Sequence, residues 1–154
     1  MPRKRFHVVG FTTVKHTHVS VRIHCVFSTK GRHPTIPDAL QPRLWAFMGG
    51  IARRLGMKAI AVGGTRDHVH ILLLLPPTIA LAKAVQALKA NSSRWLHQTT
   101  GKPFEWQEGY AAFSVSISQT EATVAYIHNQ REHHARRGFG EELARMLERH
   151  GMEA

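Results

Sequence analysis

The sequence predicts an α+β fold, a ferredoxin-like β-α-β-β-α-β antiparallel sheet followed by an additional helix that carries Tyr126. Three observations lead there. Apolar and polar residues alternate with period two from His18 to Phe27. Two apolar segments, 57–62 and 67–75, are separated by little more than Gly63-Gly64. Two stretches of helical periodicity divide the strands in the order this fold requires. At 154 residues the chain suits one domain with a single core.

The first strand puts Val19, Val21, Ile23, Cys25 and Phe27 on one face and His18, Ser20, Arg22 and His24 on the other. Pro34 and Pro37 mark a loop, and Asp38 with Gln41 reads as a capping box. Leu40, Leu44, Phe47, Met48, Ile51 and Leu55 then form the buried stripe of a helix that stops at Gly56. Met57 to Val62 reads as the second strand, Gly63-Gly64 as a hairpin turn, and Asp67 to Leu75 as the third strand, ended by Pro76-Pro77. Thr78 caps a second helix with Leu81, Val85, Leu88 and Trp95 on one side and Lys83, Lys89 and Arg94 on the other. Gly101 and Pro103 end that region, and Ala111 to Ile117 alternates as the fourth strand. Ser118 with Glu121 reads as a second capping box, opening a helix that runs to about Arg136 and closes at Gly138 and Gly140. A short amphipathic helix with Leu143, Met146 and Leu147 follows. The expected division is a basic extension over 1–17, the main domain over 18–140 and a short terminal helix over 141–154.

Lys and Arg number 21 against 10 Asp and Glu, and the resulting charge of +11 favours a polyanionic partner, nucleic acid first. The one cysteine, Cys25, has no intramolecular disulfide partner and falls among the apolar residues of the first strand. The longest aliphatic run, Ile71 to Leu75, is far short of the ~20 residues that span a bilayer, so no membrane partner is expected. The basic start Met1-Pro2-Arg3-Lys4-Arg5 leads into Gly10, Thr12, Thr13 and Lys15 and not into an unbroken apolar leader, so the chain reads as cytoplasmic. It has no G-x-x-x-x-G-K-[ST] loop and no nucleotide cofactor is expected.

On the third strand His68 and His70 flank Val69, so both imidazoles point the same way and can ligate one divalent ion. Count alone gives the pair little weight, because 12 histidines make roughly one His-x-His by chance. A second pair, His16-Thr17-His18, is indeed present. Context raises the first. Leu72 and Leu74 continue its face as apolar surface that needs cover, and the helix carrying Tyr126, from the same chain or a partner, is suited to it. Tyr126 and Gln130 stand at i, i+4 on one helical face, where Gln130 can offer its amide oxygen to the metal. A tyrosine hydroxyl, with a free pKa of about 10, attacks a phosphodiester more readily once a metal polarises the phosphate. The covalent phosphotyrosine formed would retain the energy of the phosphodiester, so strands can be cut and rejoined without ATP. Tyr110 lies in a Gly-Tyr loop with no histidine or amide at helical spacing, which leaves Tyr126 as the candidate. His133 and His134 fall near the same face, as substrate contacts or as favourable groups at a helix C-terminus. Arg137-Gly138-Phe139-Gly140 copies the start of an RNA-recognition signature. Glu141, Glu142 and Leu143 follow where a strand with aromatics is needed, so the match is accidental.

Further landmarks run through the chain: His24-Cys25-Val26-Phe27-Ser28-Thr29-Lys30 with Arg32, Asp67-His68-Val69-His70, and Leu88-Lys89-Ala90-Asn91-Ser92-Ser93. Trp106-Gln107 with Gly109-Tyr110, Ala112-Phe113-Ser114-Val115 and Tyr126-Ile127-His128-Asn129-Gln130 complete the series. In this order, over residues 18–140, they resemble the single-tyrosine HUH transposases of small bacterial insertion sequences and the related REP-associated tyrosine transposases. The resemblance implies a ferredoxin-like fold, cleavage of single-stranded DNA at hairpin-bearing element ends, a 5′-phosphotyrosine intermediate and Mg2+ or Mn2+ as cofactor. By position it makes His68 and His70 metal ligands, Gln130 the third ligand and Tyr126 the nucleophile. It also implies a bacterial, nucleoid-associated homodimer in which the tyrosine helix completes the partner's site, although REP-associated relatives act as monomers. Lys30, Arg32, Lys89, Asn91 and Arg94 are the candidate DNA contacts. Two other readings stay open: a non-catalytic or domesticated nucleic-acid-binding module on this fold, and a HUH nuclease that nicks during replication or conjugation.

Overall fold

The computed structural model describes residues 16–153, so nearly all of the basic extension lies outside the described residues. In chain order the elements are β1 (Arg22–Ser28), α1 (Gln41–Arg54), β2 (Lys58–Gly64), β3 (His68–Leu74), α2 (Leu81–Thr100) and β4 (Ala111–Val115). Three helices follow, α3 (Thr120–His128), α4 (Gln130–His134) and α5 (Phe139–Arg149). The strands form one antiparallel sheet in the order β2-β3-β1-β4, the ferredoxin-like arrangement, with the two central positions taken by β3 and β1.

One face of the sheet carries the main core. Cys25, Phe27, Val69, Ile71 and Leu73 meet Leu44, Met48 and Ile51 of α1 and Val85, Leu88 and Leu96 of α2. Each such large side chain contributes about 1.5–3 kcal/mol by leaving water, so this face supplies most of the driving force. Trp106 ties the loop before β4 to that core, its ring 4.8 Å from Phe27 and its Nε1 donating to the buried Ser92 hydroxyl at 2.9 Å.

The other face holds His24, His68, His70 and Leu72, and the chain's own helices cover it. Ile127 of α3 packs on Ala61 and Leu72, and Phe139 and Met146 of α5 pack on Val26 and Phe113. Gly63 of β2 makes this docking possible, because a Cβ there would lie 2.2 Å from the Ile127 carbonyl oxygen. Gly63 pairs with His70 across the ladder, so α3 approaches the sheet beside the histidines.

Several boundaries differ from the sequence expectation. The first strand begins at Arg22, opposite Leu74, and Val19 and Val21 are exposed. Continued in this register, Pro76 and Pro77 would sit opposite Ser20 and Val19, and they have no N–H with which to extend the ladder. Gly63 and Gly64 are the end of β2, and the turn is Thr65-Arg66-Asp67. Thr78 is not a cap, since α2 starts at Leu81 after Ala80. The Ser118–Glu121 capping box does not form, because Ile117–Gln119 make a 3-10 turn and α3 starts at Thr120 without a side-chain cap. The helix expected to reach Arg136 is divided at Asn129, whose φ of −97° and ψ of 22° leave the helical region. No described helix is long and apolar enough to cross a membrane.

Candidate active site

Strand alternation sends His68 and His70 to the same face, where both are fully buried. Gln130, at the start of α4, brings its Oε1 to 2.9 Å from His68 Nε2. Its Nε2 donates to the Tyr126 carbonyl at 3.2 Å, which fixes the way the amide faces. The Tyr126 ring stands 5.6 Å from that of His70. The structure thus brings together the four residues singled out in the sequence, and does so within one chain.

A fifth group stands among them. Glu142 of α5 is buried, with Oε1 at 2.9 Å from His70 Nε2 and Oε2 at 3.7 Å from His68 Nε2. Its carboxylate accepts a short hydrogen bond from the Tyr126 hydroxyl and is in short contact with His134 Nε2. Phe139, at the start of α5, stacks on the His68 ring at 4.6 Å. Glu142 was not among the sequence candidates, although a signal existed: it lies three residues after Phe139 and four before Met146, a carboxylate on the apolar face of an amphipathic helix. The RNA-recognition look-alike at 137–140 opens this helix, and its Phe139 serves the histidine site.

Outward from the centre, the remaining ring nitrogens are also engaged. His68 Nδ1 is 2.7 Å from Asp67 Oδ1, which Thr65 Oγ1 also reaches as a donor at 2.9 Å. His70 Nδ1 is 2.8 Å from Nε2 of His24, itself a buried residue of β1.

Burial dominates the electrostatics. It pushes His24 down to about 3, with the neighbouring His70 adding to the effect. It also brings His70 down to about 4, against the opposing pull of Glu142. The Tyr126 hydroxyl is pushed above its ordinary value, first by burial and then by the Glu142 carboxylate that faces it. Burial raises Glu142, but the adjacent His134 and His70 rings and the Tyr126 hydroxyl outweigh it and hold the carboxyl well below the usual range. Asp67 is likewise held low by His68 and Thr65 against the effect of its burial.

The donor set fits a divalent cation. His68, His70 and Glu142 each offer a ligand atom, all within 4.8 Å of one another. His70 Nε2 is fully buried and makes no hydrogen bond, although Glu142 Oε1 is close by. The separations His68 Nε2 to Gln130 Oε1 and His70 Nε2 to Glu142 Oε1 are both 2.9 Å. Neighbouring corners of an octahedron with Mg2+-like bonds are about 3 Å apart.

The candidate DNA contacts divide. Lys30 is exposed and pairs with Glu105 at 2.8 Å, and Arg94 is exposed on α2. Arg32 lies over the Phe139 ring at 5.3 Å, at the edge of the histidine site. Lys89 is half-buried, donates to the carbonyls of Gln107 and Gly109, and is held below its ordinary value by burial. Asn91 uses its amide within α2, donating to the Ala87 carbonyl at 2.8 Å. A cavity of about 790 Å³ opens beside Tyr126, lined by His133, Arg136, Arg137, Arg145 and Arg149 among others. A second, of about 620 Å³, is lined by Lys30, Lys89, Trp106, Gln107 and Tyr110 among others.

Comparison with known proteins places these features in a series. The model of a family described as IS200-like transposases matches residues 17–130. The ISDra2 transposase TnpA of Deinococcus radiodurans is 27% identical over 116 residues, 71% of this chain and 83% of that protein. A crystal structure from Deinococcus radiodurans R1, of a protein named as a transposase, superposes with a TM-score of 0.63 at 25% identity. It covers 78% of this chain and 98% of its own. The structure of a REP-associated tyrosine transposase bound to a REP hairpin shares the fold, with a TM-score of 0.56 at 13% identity over 80% of this chain and 74% of its own.

Proposed function

Because this chain belongs to the IS200-like transposase family, we propose that it cuts and rejoins single-stranded DNA at hairpin-bearing ends through Tyr126. The observation that carries the reading is the meeting of the Tyr126 hydroxyl with the point on which His68, His70, Gln130 and Glu142 converge. The Tyr126 oxygen forms a bond to phosphorus, the bond from phosphorus to the 3′ oxygen breaks, and the 3′ strand leaves as a hydroxyl with the proton the tyrosine gives up. A second 3′-hydroxyl attacking the phosphotyrosine reverses the sequence and joins a new pair of strands. The two steps conserve phosphodiester energy and need no nucleotide.

His68, His70, Glu142 and Gln130 are the residues that would hold Mg2+ or Mn2+. When bound, the ion supplies positive charge that polarises the scissile phosphate. Without it, Glu142 opposes ionisation of Tyr126, since a phenolate would face a carboxylate at contact distance. As a ligand, that carboxylate would have its charge compensated and would no longer oppose ionisation of Tyr126.

The arginines around the Tyr126 cavity suit the phosphates of a single strand, and the Trp106–Tyr110 cavity suits an unpaired base stacked on an aromatic ring. The hairpin on the REP-associated relative supports a folded-back strand as ligand. We assign contacts with such a strand to Lys30, Arg32 and Arg94, while the polar groups of Lys89 and Asn91 are engaged within the chain. Action would take place on bacterial DNA, in the cytoplasm at the nucleoid.

Incubation with hairpin-bearing single-stranded DNA and Mg2+ should give a covalent protein–DNA adduct that survives denaturation. Tyr126→Phe should abolish it, and an adduct that persists would sink the assignment. A non-catalytic binding module gives no adduct with any metal. A homodimer acting in trans keeps the same chemistry. Mixing Tyr126→Phe with His68→Ala subunits then restores the adduct if Tyr126 serves a partner, and leaves it absent if each chain completes its own site.

A further inference from the structure

We infer that Asp67 and His24 are positioning residues that set the tautomer and orientation of the two metal-binding histidines. The inference rests on the metal-centred reading above and adds to it a role for two residues outside the ligand set. Each imidazole turns its outer nitrogen to partners beside the site, Thr65 Oγ1 also lying 3.0 Å from His68 Nδ1, and leaves its inner one for the centre. His68 Nδ1 lies 2.7 Å from Asp67 Oδ1, and His70 Nδ1 lies 2.8 Å from His24 Nε2.

A neutral imidazole has one N–H and one lone pair, so whichever nitrogen holds the proton decides where the lone pair points. The Asp67 carboxylate only accepts, so His68 donates from Nδ1 and presents the lone pair of Nε2 inward. For His70 the same form requires that His24 Nε2 accept. His24 is suited to this because it is buried between β3 and the Tyr126 and Phe113 rings, with no freedom to turn away. With both protons directed outward, each inner nitrogen faces an oxygen at 2.9 Å with no hydrogen between them, an arrangement a cation resolves.

β1 and its extension hold both supports. His24 is part of the strand, and Thr29, just beyond it, donates its backbone N–H to the Asp67 carbonyl at 2.7 Å. The supports differ in kind. A carboxylate both orients its histidine and raises its basicity, whereas a neutral ring orients only.

The test is Mn2+ titration by calorimetry of the full chain, with apo melting curves as the check on folding. Asp67→Ala and His24→Phe should each weaken Mn2+ binding by 10–100-fold. Asp67→Asn and His24→Gln, which keep an acceptor at the same reach, should recover most of the loss. Adduct formation by the weakened variants should return as Mn2+ is raised. Wild-type affinity in both Asp67→Ala and His24→Phe overturns the proposal, and so does His24→Gln binding as weakly as His24→Phe. If the wild-type chain takes up no Mn2+, the metal-centred reading falls and this one with it. Wild-type binding with unaltered variants removes the positioning role alone.

Discussion

Glu142 is the residue whose removal should be most informative. It lies against Tyr126 and between the ring nitrogens of His68 and His70, so under the proposed mechanism it would both restrain the attacking hydroxyl and contribute a ligand. Glu142→Gln should therefore lower the Tyr126 pKa towards the ordinary tyrosine value, as read by ultraviolet titration, while the part due to burial stays. The same variant should bind Mn2+ more weakly. A tyrosine that titrates as before would show that Glu142 does not restrain it. The buried histidines predict a pH dependence of stability. His24 and His70 are held at about 3 and about 4 against 6.5 for a free histidine, so between these values the unfolded chain binds more protons than the folded one. Their contribution is complete above pH 6.5 and is lost as pH falls through 4 and 3. The depressed Glu142 acts in the same direction, its contribution present above 4.5 and lost below. Melting of the apo protein should be level near neutrality and fall between pH 6.5 and 4, by a free energy on the order of a few kcal/mol. A rise on acidification would contradict the burial of these rings.

At the scale of elements, the docking of α3 on β2 is the contact most sensitive to one methyl group. Gly63→Ala sets a Cβ against the Ile127 backbone, which cannot move without carrying Tyr126 with it. It should cost about 1–3 kcal/mol in urea unfolding and reduce adduct formation further. Gly49→Ala in α1, where a Cβ meets nothing within 4 Å, should instead stabilise by roughly 0.4–1 kcal/mol. Equal effects of the two substitutions would refute the close approach. These elements also show what a sequence discloses. Period-two alternation gave the facing of His68 and His70 directly, and the uncovered Leu72 called for the helix that Ile127 provides. Gly63-Gly64 read as a turn because two glycines carry no period, and the demand that excludes a side chain there comes from a helix more than sixty positions later. Glu142 was hidden for a related reason. A carboxylate on an amphipathic helix is ordinarily solvated, and only the long-range packing of Phe139 and Met146 turns it inward. The break at Asn129 likewise has no local breaker such as proline or glycine.

For the whole molecule, the excess of 21 Lys and Arg over 10 Asp and Glu meets the arginines around the Tyr126 cavity. Binding of single-stranded DNA should weaken with salt on a log–log line, by about 0.7 per phosphate contacted. Arg149→Ala should lower that slope by about the same amount, and an unchanged slope would remove Arg149 from the strand's path. One further property follows from β3, which runs through the middle of the sheet and is buried over His68–Leu73 on both faces. Its odd-numbered residues build the main core and its even-numbered ones begin the site, so no position on it is free to vary for one purpose alone. Anyone redesigning this protein would have to leave that strand as a fixed template and draw diversity from the α5 surface and the loop before β4.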